Sequence, residues 1–350
     1  MKVLITGNMG YIGPTIADQI KSAYPGAEII GVDEGFFAHC LTGATTLPET
    51  RIDQQIFSDV RSLDASVLQG CDAVVHLAAV SNDPMGKTFE KVTDEINCQS
   101  SIRLAEMAKA AGVKNYVFAS SCSVYGFAEG GPRCEEDELN PLTAYARSKI
   151  ATEKGTEPLA DDNFVVTCLR FATACGMSER TRLDLVLNDF VAGAVSTGEI
   201  TILSDGTPWR PLIHIKDMAR AIDWGCSRKA ENGGAFLAIN AGSDEWNYQV
   251  KDLAAAVADV VPNTKVSINP DAVPDKRSYQ VSFEKFRKLA PNHQPQVSLK
   301  QAVEGLKEGL EAMNFDNANF RDSNYMRLKV LNGHLDAKRI DDELHWIRKV

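Results

Sequence analysis

The stretch LITGNMGYIGPTIA places three glycines, Gly7, Gly10 and Gly13, where a short apolar run passes into a helix-like pattern. A glycine inside a helix costs about 1 kcal/mol relative to alanine, so three in one turn region require a structural reason. Where a strand turns into a helix, the first permits a tight turn, the second lets a pyrophosphate approach the backbone, and the third lets helix and strand pack closely. The amides of the helix N-terminus then bind the anion, and Pro14 fits the first turn. The loop therefore predicts a dinucleotide-binding βα unit.

An acidic residue follows at the spacing that such a unit requires. The second apolar run ends in Gly31-Val32-Asp33, and Asp33 lies 20 residues after Gly13. A carboxylate there accepts hydrogen bonds from the adenosine ribose and repels a 2′-phosphate. The next arginine or lysine is Arg51, so nothing nearby favours NADP. We therefore expect NAD as the cofactor.

The apolar runs around this loop predict the fold class. Through the first half of the chain, short and nearly continuous apolar runs alternate with amphipathic segments of helical length. This alternation predicts an α/β fold, a doubly wound parallel sheet of the Rossmann type with helices on both faces. The predicted strands are Val3–Thr6, Glu28–Val32, Ala73–Leu77, Tyr116–Ala119 and Val165–Phe171.

After Phe171 the pattern loosens, which predicts a smaller α+β lobe. We expect an NAD-binding domain over 1–170, rejoined by about 211–240, and a substrate-binding lobe over 171–350. The strand-like and helix-like segments of the second half are Thr201–Leu203, Phe236–Asn240, Leu253–Val260 and Lys265–Ile268. The charged final stretch is predicted to be helical, with two apolar anchors: Phe315–Val350, Leu344 and Trp346.

The composition argues against several classes of protein. The 350 residues carry a net charge of −10 and the basic residues form no stripe, so we expect no nucleic-acid partner. No apolar run approaches the ~18 residues of a membrane span, and the N-terminus does not resemble a signal peptide. The eight cysteines are scattered without a CxxC pair, so neither a metal site nor a disulfide framework is expected. These features predict a cytoplasmic protein without a membrane partner.

A serine-bearing strand and a Tyr-x-x-x-Lys motif supply the candidate catalytic residues. The stretch FASSCSVYG places Ser121 at the end of a buried strand, and YARSK supplies Tyr145 and Lys149. An alcohol can lose hydride to NAD only if a base takes its proton, and Ser121 would orient the reacting oxygen. A tyrosine, with a pKa of about 10, needs a stabilised anion for this, and a lysine one helical turn away supplies the charge. A second such motif, Tyr325 to Lys329, lacks the preceding strand and is interpreted as an ordinary helix face.

Together these motifs resemble the extended short-chain dehydrogenase/reductase superfamily, and within it the NAD-dependent sugar-nucleotide epimerases and dehydratases such as UDP-galactose 4-epimerase. The likeness spans roughly Lys2 to Leu310, and it includes Ser58-Asp59-Val60, His76-Leu77-Ala78-Ala79 and Asn97 in EINCQSS. It implies Ser121, Tyr145 and Lys149 as catalytic residues. It implies the following cofactor-binding residues: Gly7, Gly10, Tyr11, Ile12, Gly13, Asp33, Asp59, Val60, Leu77, Ala78, Ala79, Asn97, Tyr145, Lys149 and Phe171.

The resemblance also implies residues that bind a nucleotide sugar. Arg210, in SDGTPWRPLIHIKDMARA, would pair with the substrate diphosphate, as would Arg277 in PDKRSYQV. Asn188, in DLVLND, would contact the diphosphate or the nucleotide. The predicted substrate-binding set is completed by Ser121, Ser123 and Thr173. A homodimer formed through two helices of the nucleotide domain is usual in the family and is expected here.

Two departures from the family pattern bear on the reaction. Dehydratases carry an Asp-Glu pair where this chain has Cys122 and Ser123, which are poor acid/base groups, and UDP-galactose 4-epimerases carry an asparagine where it has Thr173. Cys122 is interpreted as a packed small residue rather than a reactive thiol. We predict a sugar-nucleotide epimerase that acts at C4 through a 4-keto intermediate. The alternatives are a 4-ketoreductase or dehydrogenase, a 4,6-dehydratase and a non-catalytic NAD-binding scaffold.

Overall fold

The computed structural model describes residues 1–81, 83–128, 130–269, 272 and 278–347. Their strands are β1 Lys2–Thr6, β2 Glu28–Asp33, β3 Gln54–Phe57, β4 Ala73–His76, β5 Asn115–Ser121, β6 Val165–Phe171, β7 Thr173–Cys175, β8 Glu199–Ile202, β9 Trp209–His214, β10 Phe236–Ala241, β11 Asn247–Gln249 and β12 Lys265–Ile268. Their α-helices are α1 Gly13–Ala23, α2 Asp83–Thr88, α3 Glu90–Asp94, α4 Ser100–Ala110, α5 Ala144–Thr156, α6 Val186–Thr197, α7 Ile215–Ser227, α8 Val250–Val260, α9 Glu284–Leu289, α10 Leu299–Ala312 and α11 Arg327–Asp336.

Within these residues, seven parallel strands form the main sheet in the order β10-β6-β5-β4-β1-β2-β3. The predicted doubly wound parallel sheet is therefore confirmed. Strand β3, which was not predicted, lies at the edge and has the half-exposed sequence QQIF, so it lacks the apolar run of a strand buried on both faces. The direction of the strand order changes at β1 and β4, where ligands bind in folds of this kind.

Helices cover both faces of this sheet. On one face, Ile16 and Ile20 of α1 pack with Ile222 and Trp224 of α7 in one apolar core. On the other face, Leu104 of α4 packs in a second core with aromatic residues of β5. Both faces are thus closed to water, and only the strand ends remain open for a ligand.

The second lobe contains two small sheets, of order β11-β9-β7 and β12-β8, among the described residues. Helices α6, α8 and α10 contribute Leu187, Leu253 and Leu306 to its apolar core. The chain returns to the first domain between these elements, because β10 pairs with β6 in the main sheet. Helix α7 and strand β10, residues 215–241, form this return, and the division into domains stays a prediction.

The final stretch does not stay with the second lobe. Among its described residues, which end at 347, only 327–336 form an α-helix, α11, and Leu344 packs in an apolar cluster with residues of the first domain. Leu344 is 1% exposed, and the indole of Trp346 donates a hydrogen bond to the carbonyl oxygen of Glu34 at 2.8 Å. In the described part of the chain, no helix has both the length and the apolar character of a membrane span.

Candidate active site

Most predicted site residues line one cavity of about 1160 Å³. It lies at the carboxyl ends of β1, β2, β4, β5 and β6 and reaches the second lobe. The predicted residues that line it are Gly7, Gly10, Tyr11, Ile12, Asp33, Asp59, Val60, Leu77, Ala78, Ala79, Ser121, Ser123, Tyr145, Lys149, Phe171, Thr173 and Arg210. Arg277 lies outside the described residues.

The glycine loop lies against the end of β4 in a way that only glycine allows. Gly7 has a φ of +74°, and a Cβ atom there would lie 2.7 Å from the amide nitrogen of Ala78. Gly13 does not line the cavity; a Cβ atom on it would overlap the carbonyl oxygen of Asn8, so it serves close packing. No side chain caps the N-terminus of α1. The loop can therefore receive a pyrophosphate on its backbone.

Two carboxylates lie at the end of the cavity that is predicted to hold adenosine, which we call the adenosine end. Asp33 accepts hydrogen bonds from the amides of Met9 at 3.0 Å and Gly35 at 2.7 Å, which fix its orientation at the end of β2. Burial raises the pKa of Asp33, and the two amides oppose that shift. Asp59 accepts from the Arg61 amide at 2.7 Å and from its Nε at 2.8 Å. Both acids are held in place by neighbouring donors.

Tyr145 and Lys149 lie one turn apart at the start of α5. Thr143 caps this helix by accepting from the amide of Ala146, and its hydroxyl donates to Asp83 at 2.8 Å. The ammonium of Lys149 lies 5.3 Å from the centre of the Tyr145 ring and donates to the carbonyl oxygen of Ala119 at 2.7 Å. Since Ser121 ends β5 two residues later, the strand and the helix bring all three predicted catalytic residues to one wall.

Burial is the largest influence on the pKa of Tyr145. Its pKa is raised to about 12 by burial and by the charge of Asp83, while Arg182 and a hydrogen bond from Ser121 oppose the shift. Burial also lowers the pKa of Lys149 to about 7, although Glu153 opposes that shift. Desolvation penalises the charged forms of both side chains, and the expected stabilisation of the Tyr145 anion by Lys149 stays a prediction.

Arg182 is a site residue that the sequence did not reveal. It lines the cavity, and its guanidinium donates to Asp184 from Nε at 2.9 Å and from Nη2 at 3.0 Å. Its Nη1 donates to the hydroxyl of Ser81 at 3.0 Å. In sequence, an Arg-x-Asp pair in a loop is indistinguishable from a solvated surface pair. What distinguishes Arg182 from a surface arginine is its burial, and burial is known only from the three-dimensional structure.

Two predicted asparagines support the cavity from behind rather than lining it. Asn97 accepts from the amide of Val80 at 2.8 Å and donates to its carbonyl oxygen at 3.0 Å. Asn188 is fully buried, and its amide group donates to the Tyr11 hydroxyl at 3.0 Å and accepts from the amide of Gly176 at 3.0 Å. Because its polar atoms are used within the protein, Asn188 is not placed to contact a substrate.

The end of the cavity that is predicted to bind the substrate includes Ser123. The Ser123 hydroxyl oxygen is buried and has no hydrogen-bond partner among the described residues. Such an atom costs free energy unless a ligand or water satisfies it. Arg210 donates to the carbonyl oxygen of Trp209 at 2.9 Å and lines the same cavity, as does Thr173.

Cys122 and Tyr325 have packing roles. Cys122 is fully buried, its thiol donates to the carbonyl oxygen of Arg170 at 3.1 Å, and burial raises its pKa. In the second Tyr-x-x-x-Lys motif, Tyr325 precedes α11 and packs against the ring of Phe315, and Lys329 pairs with Asp322 at 2.7 Å. The described residues contain no group of three or more His, Cys, Asp or Glu suited to a metal ion.

Comparison with known proteins adds independent findings. The model of the NAD dependent epimerase/dehydratase family matches residues 3–242. The uncharacterized UDP-glucose epimerase YtcB of Bacillus subtilis is 29% identical over 231 residues, covering 63% of this chain and 71% of that protein. The UDP-glucose 4-epimerase of Homo sapiens is 30% identical over 254 residues with the same coverage. A solved structure, MoeE5 in complex with UDP-glucuronic acid and NAD, superposes with a TM-score of 0.75 and 25% identity, over 89% of this chain and 99% of that one.

Proposed function

The chain belongs to the NAD dependent epimerase/dehydratase family, and from that premise we propose that it is an NAD-dependent epimerase that inverts C4 of a nucleotide sugar through a 4-keto intermediate. One observation carries the proposal: Ser121, Tyr145 and Lys149 line the same cavity as the glycine loop and Asp33. A scaffold that only bound NAD would need the loop and the acid but no base.

The residues of the cleft fit the cofactor. Gly7 permits the tight turn against the end of β4, Gly10 would let the pyrophosphate approach the backbone, and the N-terminus of α1 has no side-chain cap. Asp33 would hold the adenosine ribose, and Lys149 the nicotinamide ribose. When bound, NAD supplies a reversible hydride acceptor.

The chain's own residues would manage the proton. The Ser121 hydroxyl would hydrogen-bond the reacting sugar oxygen and orient it. Tyr145 would take the proton of the C4 hydroxyl on its phenolic oxygen and return it to the keto oxygen at the end of the cycle, so no proton is consumed. Because burial opposes ionisation of the phenol, positive charge must offset it, and Arg182 contributes that charge.

The second lobe would bind the nucleotide part of the substrate. Arg210 would pair with the diphosphate, because a guanidinium matches phosphate oxygens with two parallel donors. Ser123 and Thr173 would contact the sugar, and the unpartnered Ser123 hydroxyl supports this role. Since the relatives carry UDP-glucose in their names, a UDP sugar is the proposed substrate class.

The test is product analysis with candidate UDP sugars. The purified protein is incubated with UDP-glucose, UDP-N-acetylglucosamine or UDP-glucuronic acid, and the sugar is examined by proton NMR while NADH absorbance is followed. A new C4 epimer without net NADH supports the proposal. Stoichiometric NADH would instead indicate a dehydrogenase, loss of water from the sugar would indicate a dehydratase, and no reaction with any sugar would favour the scaffold.

We also propose a role in carbohydrate biosynthesis, a cytoplasmic location and a homodimer. The eight cysteines are all free, which supports a reducing compartment. The domain division proposed from the sequence, 1–170 with 211–240 against 171–350, keeps the catalytic residues in one unit and Arg210 near the junction. Light scattering on the purified protein tests the dimer, since a monomer mass would refute it.

A further inference from the structure

The C-terminal segment, residues 327–346, lies across the cofactor cleft and joins its two sides. Leu331, Ile340 and Leu344 share one apolar cluster with Val80, which follows β4. Phe36 and Phe37, which follow β2, pack against the same cluster. In the sheet, β1 lies between β4 and β2, so the cluster bridges the strand that carries the glycine loop. The family match ends at residue 242, well before this segment.

Polar contacts fasten the segment at the adenosine end. The Arg61 guanidinium, already paired with Asp59, donates to the carbonyl oxygen of Glu343 at 2.8 Å. The Trp346 indole donates to the carbonyl oxygen of Glu34 at 2.8 Å, and its ring lies 5.2 Å from that of Phe36. These contacts fall beside Asp33 and Asp59, the acids of the adenosine end.

The segment also lines the cavity itself. Leu344 lines it together with Gly7, Gly10 and Arg61. Leu344 has a φ of +59°, a left-handed conformation that is unfavourable for a branched side chain. It is 1% exposed in the apolar cluster, which offsets that strain by burial of the side chain. The conformation therefore places the Leu344 side chain in the apolar cluster at the wall of the cleft.

We propose that residues 327–346 are a component of the cofactor site, a roof that closes the adenosine end and must lift before NAD can leave. The proposal rests on the proposed function only in taking NAD as the cofactor. A roof of this kind suits an enzyme that regenerates its cofactor in every turnover and has no need to exchange it.

The experiment measures the dissociation rate of NAD in the absence of any sugar. Protein loaded with labelled NAD is chased with an excess of unlabelled NAD, and bound label is followed over time. Trp346→Ala removes both the hydrogen bond to Glu34 and the ring contact with Phe36, so the dissociation rate should rise about tenfold or more. Ile347→Ala, at an adjacent side chain that is 47% exposed, is the matched control and should leave the rate unchanged.

A second measurement needs no substitution. Amide hydrogen exchange of residues 339–346 in the full chain should slow when NAD is bound, because opening of the roof then requires release of contacts to the cofactor. An unchanged NAD dissociation rate in folded Trp346→Ala, or exchange in 339–346 that does not respond to NAD, would overturn the proposal. Sugar turnover is not part of either readout, so failure of the epimerase proposal is separately visible.

Discussion

Replacing Tyr145 by phenylalanine removes the proposed base and little else. Phenylalanine keeps the ring, the backbone and the Cβ atom, so the close approach of the Tyr145 backbone and Cβ to Gly86 is also kept. The hydrogen bond with Ser121 that is lost contributes about 0.5–1.5 kcal/mol to stability. Because the variant no longer has to bury the phenolic hydroxyl group, the cost of desolvating that group also disappears, and the unfolding temperature should change little. General-base catalysis contributes about 10²–10⁴-fold, so turnover should fall by that factor.

The assay for this variant is formation of the C4 epimer under saturating sugar, together with NAD content and thermal unfolding. NAD should stay bound, because the loop and Asp33 lie at the other end of the cavity. Tyr325→Phe is the matched control, since that ring packs against Phe315 and its hydroxyl is not needed for the proposed chemistry. Turnover of Tyr145→Phe within a few-fold of the parent would refute the assignment of this tyrosine as the base.

Three further predictions follow from the same geometry. Asp33→Ala should weaken NAD binding and reduce the preference for NAD over NADP, measured by titration with both; an unchanged ratio would remove Asp33 from the cofactor site. Arg210→Ala should raise the KM for the nucleotide sugar by a factor equivalent to about 1.5–3 kcal/mol of lost binding free energy, while NAD binding is preserved. If the affinities for the sugar and for NAD fell equally, the arginine would instead have a folding role. Burial lowers the pKa of Lys149 to about 7 in the folded chain, whereas the pKa is about 10.4 in the unfolded chain. Between about pH 7 and about pH 10.4, the unfolded chain therefore binds more protons at this residue than the folded chain does. The cofactor-free protein should therefore gain up to about 1.4 kcal/mol of unfolding free energy per pH unit from about pH 7.5 to 9, and a denaturant titration of Lys149→Met should lack this gain.

The sequence predicted the strands whose side chains are buried on both faces of the sheet. Strands β1, β2, β4, β5 and β6 are apolar on both faces, and all of them were found within two residues of their observed ends. Strand β9 was missed because its sequence, WRPLIH, contains the charged Arg210 and also Pro211, which cannot donate to a ladder. Its pairing with β7 and β11 depends on contacts that are distant in sequence.

The site was predictable where a local motif fixes the geometry. The glycine loop, the strand that ends at Ser121 and the helical turn from Tyr145 to Lys149 each set their own spacing, and the sheet then brings them together. Asn188 illustrates the limit of this reasoning. A polar residue on a helix near the site can face the substrate or brace the wall, and only its three-dimensional partners decide between these roles.

The charge around Tyr145 could not be predicted from spacing, because it depends on groups from separate parts of the chain. Lys149 comes from the same helix, but Asp83 precedes it by more than sixty residues and Arg182 follows in the second half. Asp83 raises the pKa of the phenol and Arg182 lowers it, and burial, which also raises the pKa, is the largest of the three effects. A Tyr-x-x-x-Lys motif therefore identifies the side chain that can exchange a proton, whereas the pKa of that side chain depends on the residues that surround it in the cavity. Arg182, which is held by Asp184 and Ser81, is a residue after Phe171 whose charge lowers the pKa of Tyr145. Substitution of Arg182 should therefore change the reaction rate although the Tyr-x-x-x-Lys motif is intact.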